Sequence, residues 1–514
     1  MTMYNKILLL GAGLLFPALV SAQDIYQMEL FSSEDLGGTA RYVGMGGAMS
    51  ALGADLSTMG TNPAAIGLYR RSDIATSLSV NMQEEAEKFD GKSKTHVSFD
   101  QLGFVYSFKL DDSTCKFLNI GFNYNKRKNF NRLINASCSP SNNASQTWQM
   151  ADLAGSWGGY DQATPLTNMG WETYLIGEGE NGAYNGYGAS SLAYKRAQWG
   201  SIQDYDFNFS ANLSEQFYLG LTIGAQNVNY NSYFLYGENL ISSDGLDAGN
   251  YSLSDDRSIS GTGFNVKLGI IVRPIQESPF RIGLAVSTPT YFNLRQRSYS
   301  RLVANYSDDN TSYDQYSDIG GYDYNIRTPW KFNFSLGHTI ANCLAISAEY
   351  EYADYSTAKV SYGGDYDDWG WGSDKTDDRE LNNQSSHFLN GVSTFKLGLE
   401  WMVDPTVAIR CGYNYVSSPF KSKAYPNQFI NSASIDYQAS TDYMNLSGIN
   451  RFTVGLGFTF GKAYFDAACQ YQHQSGRFYP FNTQCGVDSN VNEAPSFKLN
   501  LSRTQLLFTL GYRF

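Results

Sequence analysis

The chain has 514 residues and a formal net charge of −12. With no basic stripe to displace phosphate counterions, a nucleic-acid-binding function is excluded. Length alone suggests about three soluble domains of ~150 residues, yet no composition break or linker divides the chain. The abundance of Tyr (38) and Phe (31) at negative mean hydropathy instead suits aromatic girdles around one large polar-lumened barrel.

Residues 1–22 read as a signal peptide: Lys6, the apolar run Ile7–Leu19, then Val20-Ser21-Ala22 as a small-residue cleavage site. Gln23 rather than a cysteine follows, so no lipoprotein anchor is expected. No later apolar run reaches ~18 residues, which excludes ordinary transmembrane helices. Residues 23–71 are apolar and rich in Gly and Ala, with the stretch from Gly37 to Tyr69 reading GGTARYVGMGGAMSALGADLSTMGTNPAAIGLY. Such a segment needs covering and is too short to be a domain, so it is predicted to be a hatch inserted into a barrel lumen. Within it, Asn62 before Pro63 marks a helix start, with Asn as N-cap and Pro at the first helical position.

From Ser72 to Phe514 apolar and polar residues alternate with period two, the signature of strands with one lipid face and one lumen face. The pattern predicts strands near 72–82, 96–109, 115–127, 200–213, 217–231, 258–272, 280–293, 323–339, 343–355, 393–403, 407–415, 450–460, 463–475 and 502–514. The expected fold is therefore all-β, an antiparallel transmembrane barrel of about fourteen strands over residues 72–514. Every second connection is short, as at Ser214–Gln216 and Gly461–Lys462, while 83–95, 128–199, 232–257, 294–322, 356–392, 416–449 and 476–501 are long. Short periplasmic turns and long outer loops give the orientation, with both barrel ends periplasmic.

Among the six cysteines, Cys411 and Cys469 fall on strands separated by a third, about 10 Å apart and beyond disulfide reach. Only Cys138 and Cys485, both in outer loops, are placed where they can meet. The acidic cluster Asp365, Asp367, Asp368, Asp374, Asp377 and Asp378 reads as a solvated loop in preference to a calcium site. No metal site and no cofactor are expected: zinc spacing is absent, and His96, His338, His387 and His473 lie apart on strand ends or loops.

The Asn62-Pro63-Ala64 triplet, preceded by Ala40-Arg41 and Gly44–Gly47 in a Gly/Ala-rich segment and followed by a fourteen-strand pattern, resembles the FadL/TodX family of outer-membrane transporters of hydrophobic compounds. The resemblance implies a hatch-closed barrel that passes ligand from outer loops to an internal pocket and releases it beside a kinked third strand. It implies hatch-anchoring roles for Asn62, Pro63 and Ala64, and a pocket lined by Ile25, Tyr26, Met28, Leu30 and Phe31, with Met45 and Met49 further along the hatch. Two features depart from the family pattern. The longest outer loop, 128–199, joins the third and fourth strands, and the inward phases are strongly polar, with Asp204, Asp206, Lys267, Glu349, Glu351, Lys396, Glu400 and Arg410.

The function expected is passive movement of a small hydrophobic or amphipathic molecule, such as a long-chain fatty acid, across the outer membrane of a Gram-negative bacterium. Arg281, Lys331, Lys396 and Arg410 are candidate partners for a ligand carboxylate, set against the simpler reading that they neutralise lumen Asp and Glu. The alternatives are a haem or general solute channel and a surface adhesin or receptor. An enzyme is not expected, because no Gly-x-Ser-x-Gly elbow or paired nucleophile and base is present. Expected partners are the hydrophobic ligand, outer-membrane lipid with lipopolysaccharide, and the barrel-assembly machinery, with the chain a monomer.

Overall fold

A computed structural model of the chain describes residues 25–110, 114–317, 320–363, 375–422, 424–426, 439–482 and 493–514. The signal peptide, the acidic cluster from Asp365 to Asp374, and Cys485 with its proposed pairing to Cys138 lie outside the described residues.

Period-two alternation dictates the architecture, because each strand turns one row of side chains to lipid and the other to the lumen. The strands are β1 (Asp73–Gln83), β2 (Thr95–Lys109), β3 (Cys115–Asn129), β4 (Gly188–Leu213), β5 (Phe217–Ile241) and β6 (Asp247–Val272). Then come β7 (Arg281–Ser287, resuming at Tyr291–Tyr306), β8 (Gly320–Arg327, resuming at Lys331–Ile340) and β9 (Leu344–Asp354, resuming at Lys359–Tyr362). The last are β10 (Gly391–Asp404), β11 (Val407–Val416), β12 (Ile449–Phe460), β13 (Ala463–His473) and β14 (Arg503–Arg513). Each pairs antiparallel with the next, and β14 pairs back onto β1, with Thr509 opposite Ser77, to close a fourteen-stranded barrel.

Closure leaves no edge strand in the ring, which is what a bilayer demands of a β protein. The outward row is apolar and exposed, including Phe104, Leu268, Phe332, Phe452 and Phe508. No helix among the described residues is long and apolar enough to cross a membrane. Val454 of β12 lies between Cys411 and Cys469, pairing with each, and both thiols are free.

The strands β4 to β7 run well beyond the lengths read from the sequence. The expected loop 232–257 is mostly strand, and only residues 242–246 turn between β5 and β6. A bilayer sets a minimum strand length, while pairing continues wherever alternation continues. Outside the lipid, Tyr236, Leu240, Tyr251 and Leu253 turn onto an apolar cluster with Met150, Leu166 and Leu175. Two helices of the 128–199 connection supply that cover, Gln146–Trp157 and Pro165–Glu172.

The seam between the chain ends is zipped by reciprocal backbone bonds, Ser72 N to Phe514 O at 3.1 Å and Phe514 N to Ser72 O at 3.0 Å. The Phe514 ring stands on the lipid face beside Tyr512, centroids 6.3 Å apart. A charge on that face is unfavourable even near the interface. Phe514→Asp is expected to lower the yield of assembled barrel, seen as loss of the heat-modifiable band on gels.

Candidate functional site

The hatch threads the lumen from the outer half of the barrel to its periplasmic end. Its first element, α1 (Ile25–Ser32), lies among the outer halves of the strands. Ile25, Met28 and Phe31 are fully buried there against Phe130, Tyr230, Phe292, Tyr324, Leu381 and Phe420, so the helix fills the apolar chamber it helps to form. Tyr26 packs on Phe420 at a centroid distance of 4.8 Å and donates to Asn445 Oδ1 at 2.8 Å, and Leu30 packs at the chamber's edge.

Below α1 the hatch passes through α2 (Ala40–Gly44) and a short 3-10 turn (Pro63–Leu68). Asn62 caps that turn, its Oδ1 accepting from Ala64 N at 3.1 Å while its Nδ2 donates to Ser50 O at 3.2 Å. The carbonyl of Pro63 accepts from Asn208 Nδ2 of β4 at 3.2 Å. This corner rests on wall glycines: a Cβ on Gly220 would lie 2.2 Å from the Pro63 carbonyl carbon, and one on Gly269 2.0 Å from Asn62 Oδ1. The triplet is thus seated where β5 and β6 have no side chains. Met45 and Met49 are fully buried in a separate cluster with Leu36, Tyr42, Leu52 and Leu507.

Charged pairs latch the hatch to the wall. Arg41 forks onto Glu400 with two 2.8 Å bonds, and Glu400 also takes Arg410 Nε at 2.6 Å. Arg410 reaches Asp466 at 2.6 Å. Higher in the lumen, Glu34 meets Arg127 at 2.5 Å and also Lys331, while Asp35 holds Arg503 and Glu29 lies 3.8 Å from Lys128. Burial opposes ionisation of Asp35, yet the Arg503, Arg451 and Lys128 charges hold its carboxyl below the usual range.

Between α1 and α2 the lumen keeps a cavity of about 130 Å³, bordered by Glu34, Arg127, Lys267, Lys331, Lys396 and Arg451 among others. Of the basic residues singled out in the sequence, Lys331 and Lys396 face this space, each with an acidic partner; Lys396 bonds Glu349 at 2.6 Å. Arg410 belongs to the latch below it, and Arg281 donates to Leu52 O at 2.9 Å without an ion pair among the described residues. Arg127 and Arg503 escaped the sequence reading because Glu34 and Asp35, which they pair with, lie on the hatch, far away in the chain. Arg451 is fully buried and donates to Asn414 Oδ1 and Gln472 Oε1, both at 2.9 Å.

The wall beside the cavity is broken. Strands β7 and β8 lose their ladder across Thr288–Thr290 and Thr328–Trp330, and the register places Pro289 directly opposite Pro329. Proline has no N–H to give a ladder and is foreign to the middle of a sheet. The rungs are replaced by Thr328 N to Thr290 O at 3.1 Å and Thr290 N to Thr328 Oγ1 at 2.8 Å. At the same level β9 stops for a 3-10 turn at Tyr355–Thr357. On the lipid side of β6 to β9 lies an apolar groove of about 490 Å³, and Ala285 and Asn333 border both this groove and the lumen cavity. In β3, the strand whose kink the family resemblance brings into question, register shifts occur between Cys115 and Phe117 and between Lys126 and Lys128, near its two ends.

A closed fourteen-stranded barrel with an amino-terminal hatch in its lumen is the class of protein defined by this geometry, and it is the fold of the FadL/TodX barrels. Among solved structures, the Pseudomonas putida toluene transporter TodX covers 93% of this chain and 99% of its own at a TM-score of 0.50 and 13% identity. A Pseudomonas aeruginosa FadL homologue covers 94% and 99% at a TM-score of 0.52 and 12% identity. No protein-family model matches the chain, and no curated protein matches its sequence.

Proposed function

We propose that the chain is a passive outer-membrane channel for small hydrophobic or amphipathic compounds, entering through the outer apolar chamber and leaving sideways through the β7–β9 wall. The observation that carries this reading is the facing pair of prolines, Pro289 and Pro329, between a lumen cavity and a lipid-side groove that share Ala285 and Asn333. A strand pair whose ladder is interrupted over three residue pairs needs less free energy to part than an intact one, since each backbone bond contributes about 1 kcal/mol. The ion-lined cavity suits a ligand with a polar or anionic head and an apolar tail, a description that includes fatty acids, better than a pure hydrocarbon. The apolar site itself is occupied by Ile25, Met28 and Phe31, so ligand competes with α1 for the chamber.

Thr290 and Thr328 are directly cross-strand and tolerate a staple. In a background freed of native cysteines, T290C/T328C is expected to lose uptake of labelled amphipathic compounds when oxidised and to regain it on reduction. Equal uptake in both redox states removes the lateral route; absence of uptake in wild-type cells for fatty acids, aromatic hydrocarbons and their acids alike removes the transport reading.

A further inference from the structure

Away from the hatch chamber and the broken wall, the outer ends of β1, β2, β3 and β14 border a second, smaller cavity of about 40 Å³. A water needs roughly 10–15 Å³ on this kind of measure, so the space suits a group of a few heavy atoms. Its lining holds Lys92, Lys94, His96, Arg132 and Arg503, and no carboxylate; Asn and Gln side chains make up most of the rest.

Several nearby carboxylates already have partners, one partner being in the lining itself. Asp35 holds Arg503, Glu29 faces Lys128 at 3.8 Å, and Glu87 faces Lys195 at 3.8 Å. Asp100 takes the hydroxyl of Ser98. Lys92 lies over the Trp199 ring, 4.2 Å from its centroid. Arg132 and Lys94 are left with no ion pair among the described residues, Arg132 half-buried in the cavity wall and Lys94 exposed at its mouth. Glu29 and Asp35 attract the Arg132 guanidinium without making an ion pair with it, and the cost of taking it out of water outweighs their attraction, so an anion in the cavity offsets a cost left uncovered. The planar donor fork of arginine and the lysine ammonium groups together match an anion with several oxygens in preference to a single-atom halide.

We propose that this cavity is a binding site for a phosphate group, seated on Arg132 and closed by Lys94. Its mouth opens at the outer end of strands whose neighbouring lipid-facing residues are Met82 and Val97, 38% and 75% exposed, so the group is either free phosphate or the phosphate of a membrane-lipid headgroup. The site is independent of the transport reading, because neither the broken wall nor the hatch chamber contributes to it.

The test uses the full-length barrel in detergent, wild type beside R132Q and K94Q, with inorganic phosphate titrated by ³¹P NMR and copurifying phospholipid and lipopolysaccharide quantified by mass spectrometry. Saturable binding of inorganic phosphate, weakened tenfold or more in both variants, establishes the site with free phosphate as its ligand. Retention of a phosphate-bearing lipid by wild type and its loss from the variants establishes the headgroup as the ligand. Equal binding by wild type and K94Q, or no phosphate of either origin on wild type, overturns the proposal. K94Q carries the decision if R132Q fails to assemble, since Lys94 is exposed.

Discussion

Removal of residues 23–68 is expected to leave a folded barrel and to raise its single-channel conductance from near zero by on the order of tenfold or more, since fourteen strands enclose a lumen wide enough for solutes once the filling is gone. The hatch contributes no strand to the ladder, and β1 begins only at Asp73. Deletion strips Arg127, Lys331, Lys128 and Arg503 of Glu34, Glu29 and Asp35, whereas on the acidic side of the wall only Glu400, among the described residues, loses an ion-pair partner, Arg41. Water entering the lumen hydrates the freed charges, so assembly survives, and the pore is expected to favour anions. Planar-bilayer recordings under a salt gradient check both points. Equal, near-zero conductance with and without the segment rules out a hatch; a large cation-selective conductance rules out the charge argument alone.

Glu400→Ala is the point change with the largest expected effect on the closed state. Glu400 accepts from Arg41 and Arg410 together, and all three side chains are largely buried. Loss of one partner from a buried ionic cluster costs about 3–5 kcal/mol, because uncompensated charges remain out of water. The barrel ladder spreads the cost borne by Arg410, which keeps Asp466 at 2.6 Å. Arg41 has no second ion pair among the described residues; it keeps a bond to the Ala54 carbonyl at 2.9 Å and weaker attraction from Asp55 and Asp466. Its cost therefore falls on the seating of α2. A change of even ~1.4 kcal/mol alters a two-state population tenfold, so the variant is expected to show frequent channel openings and faster proteolysis of the hatch while heat-modifiable mobility stays intact. An isosteric Glu400→Gln variant should fall between wild type and Ala, as it keeps hydrogen bonds without the charge. Silent recordings from both variants would show that the latch does not hold the hatch shut.

How far the chain could be read in advance follows from where each physical signal resides. Strand number, antiparallel order and closure were legible because alternation is a local pattern repeated in every strand, and lipid on one face forbids exceptions to it. The Asn62-Pro63 corner was legible too, since an N-cap followed by proline is a statement about four adjacent residues. The Gly/Ala-rich stretch marked its own need for cover, although not what would cover it. Strand lengths were underestimated for β4 to β7, because bilayer thickness was taken as the limit while pairing and the cluster around Tyr236 and Leu253 carry the strands further out.

Only the tertiary structure could decide which charges meet. Glu34 finds Arg127 and Lys331, and Asp35 finds Arg503 at the far end of the chain, contacts fixed by the path of the hatch through the lumen and by nothing local to any of the five residues. The same holds for the broken wall. Pro289 and Pro329 fall inside the strands predicted at 280–293 and 323–339 with nothing to relate them, and only the β7–β8 register sets them face to face between the lumen and the lipid. Sequence therefore determined the barrel, because the bilayer imposes one rule on every strand; tertiary structure decided the site, because cavities, latches and gaps arise where distant strands and the hatch are brought to one level.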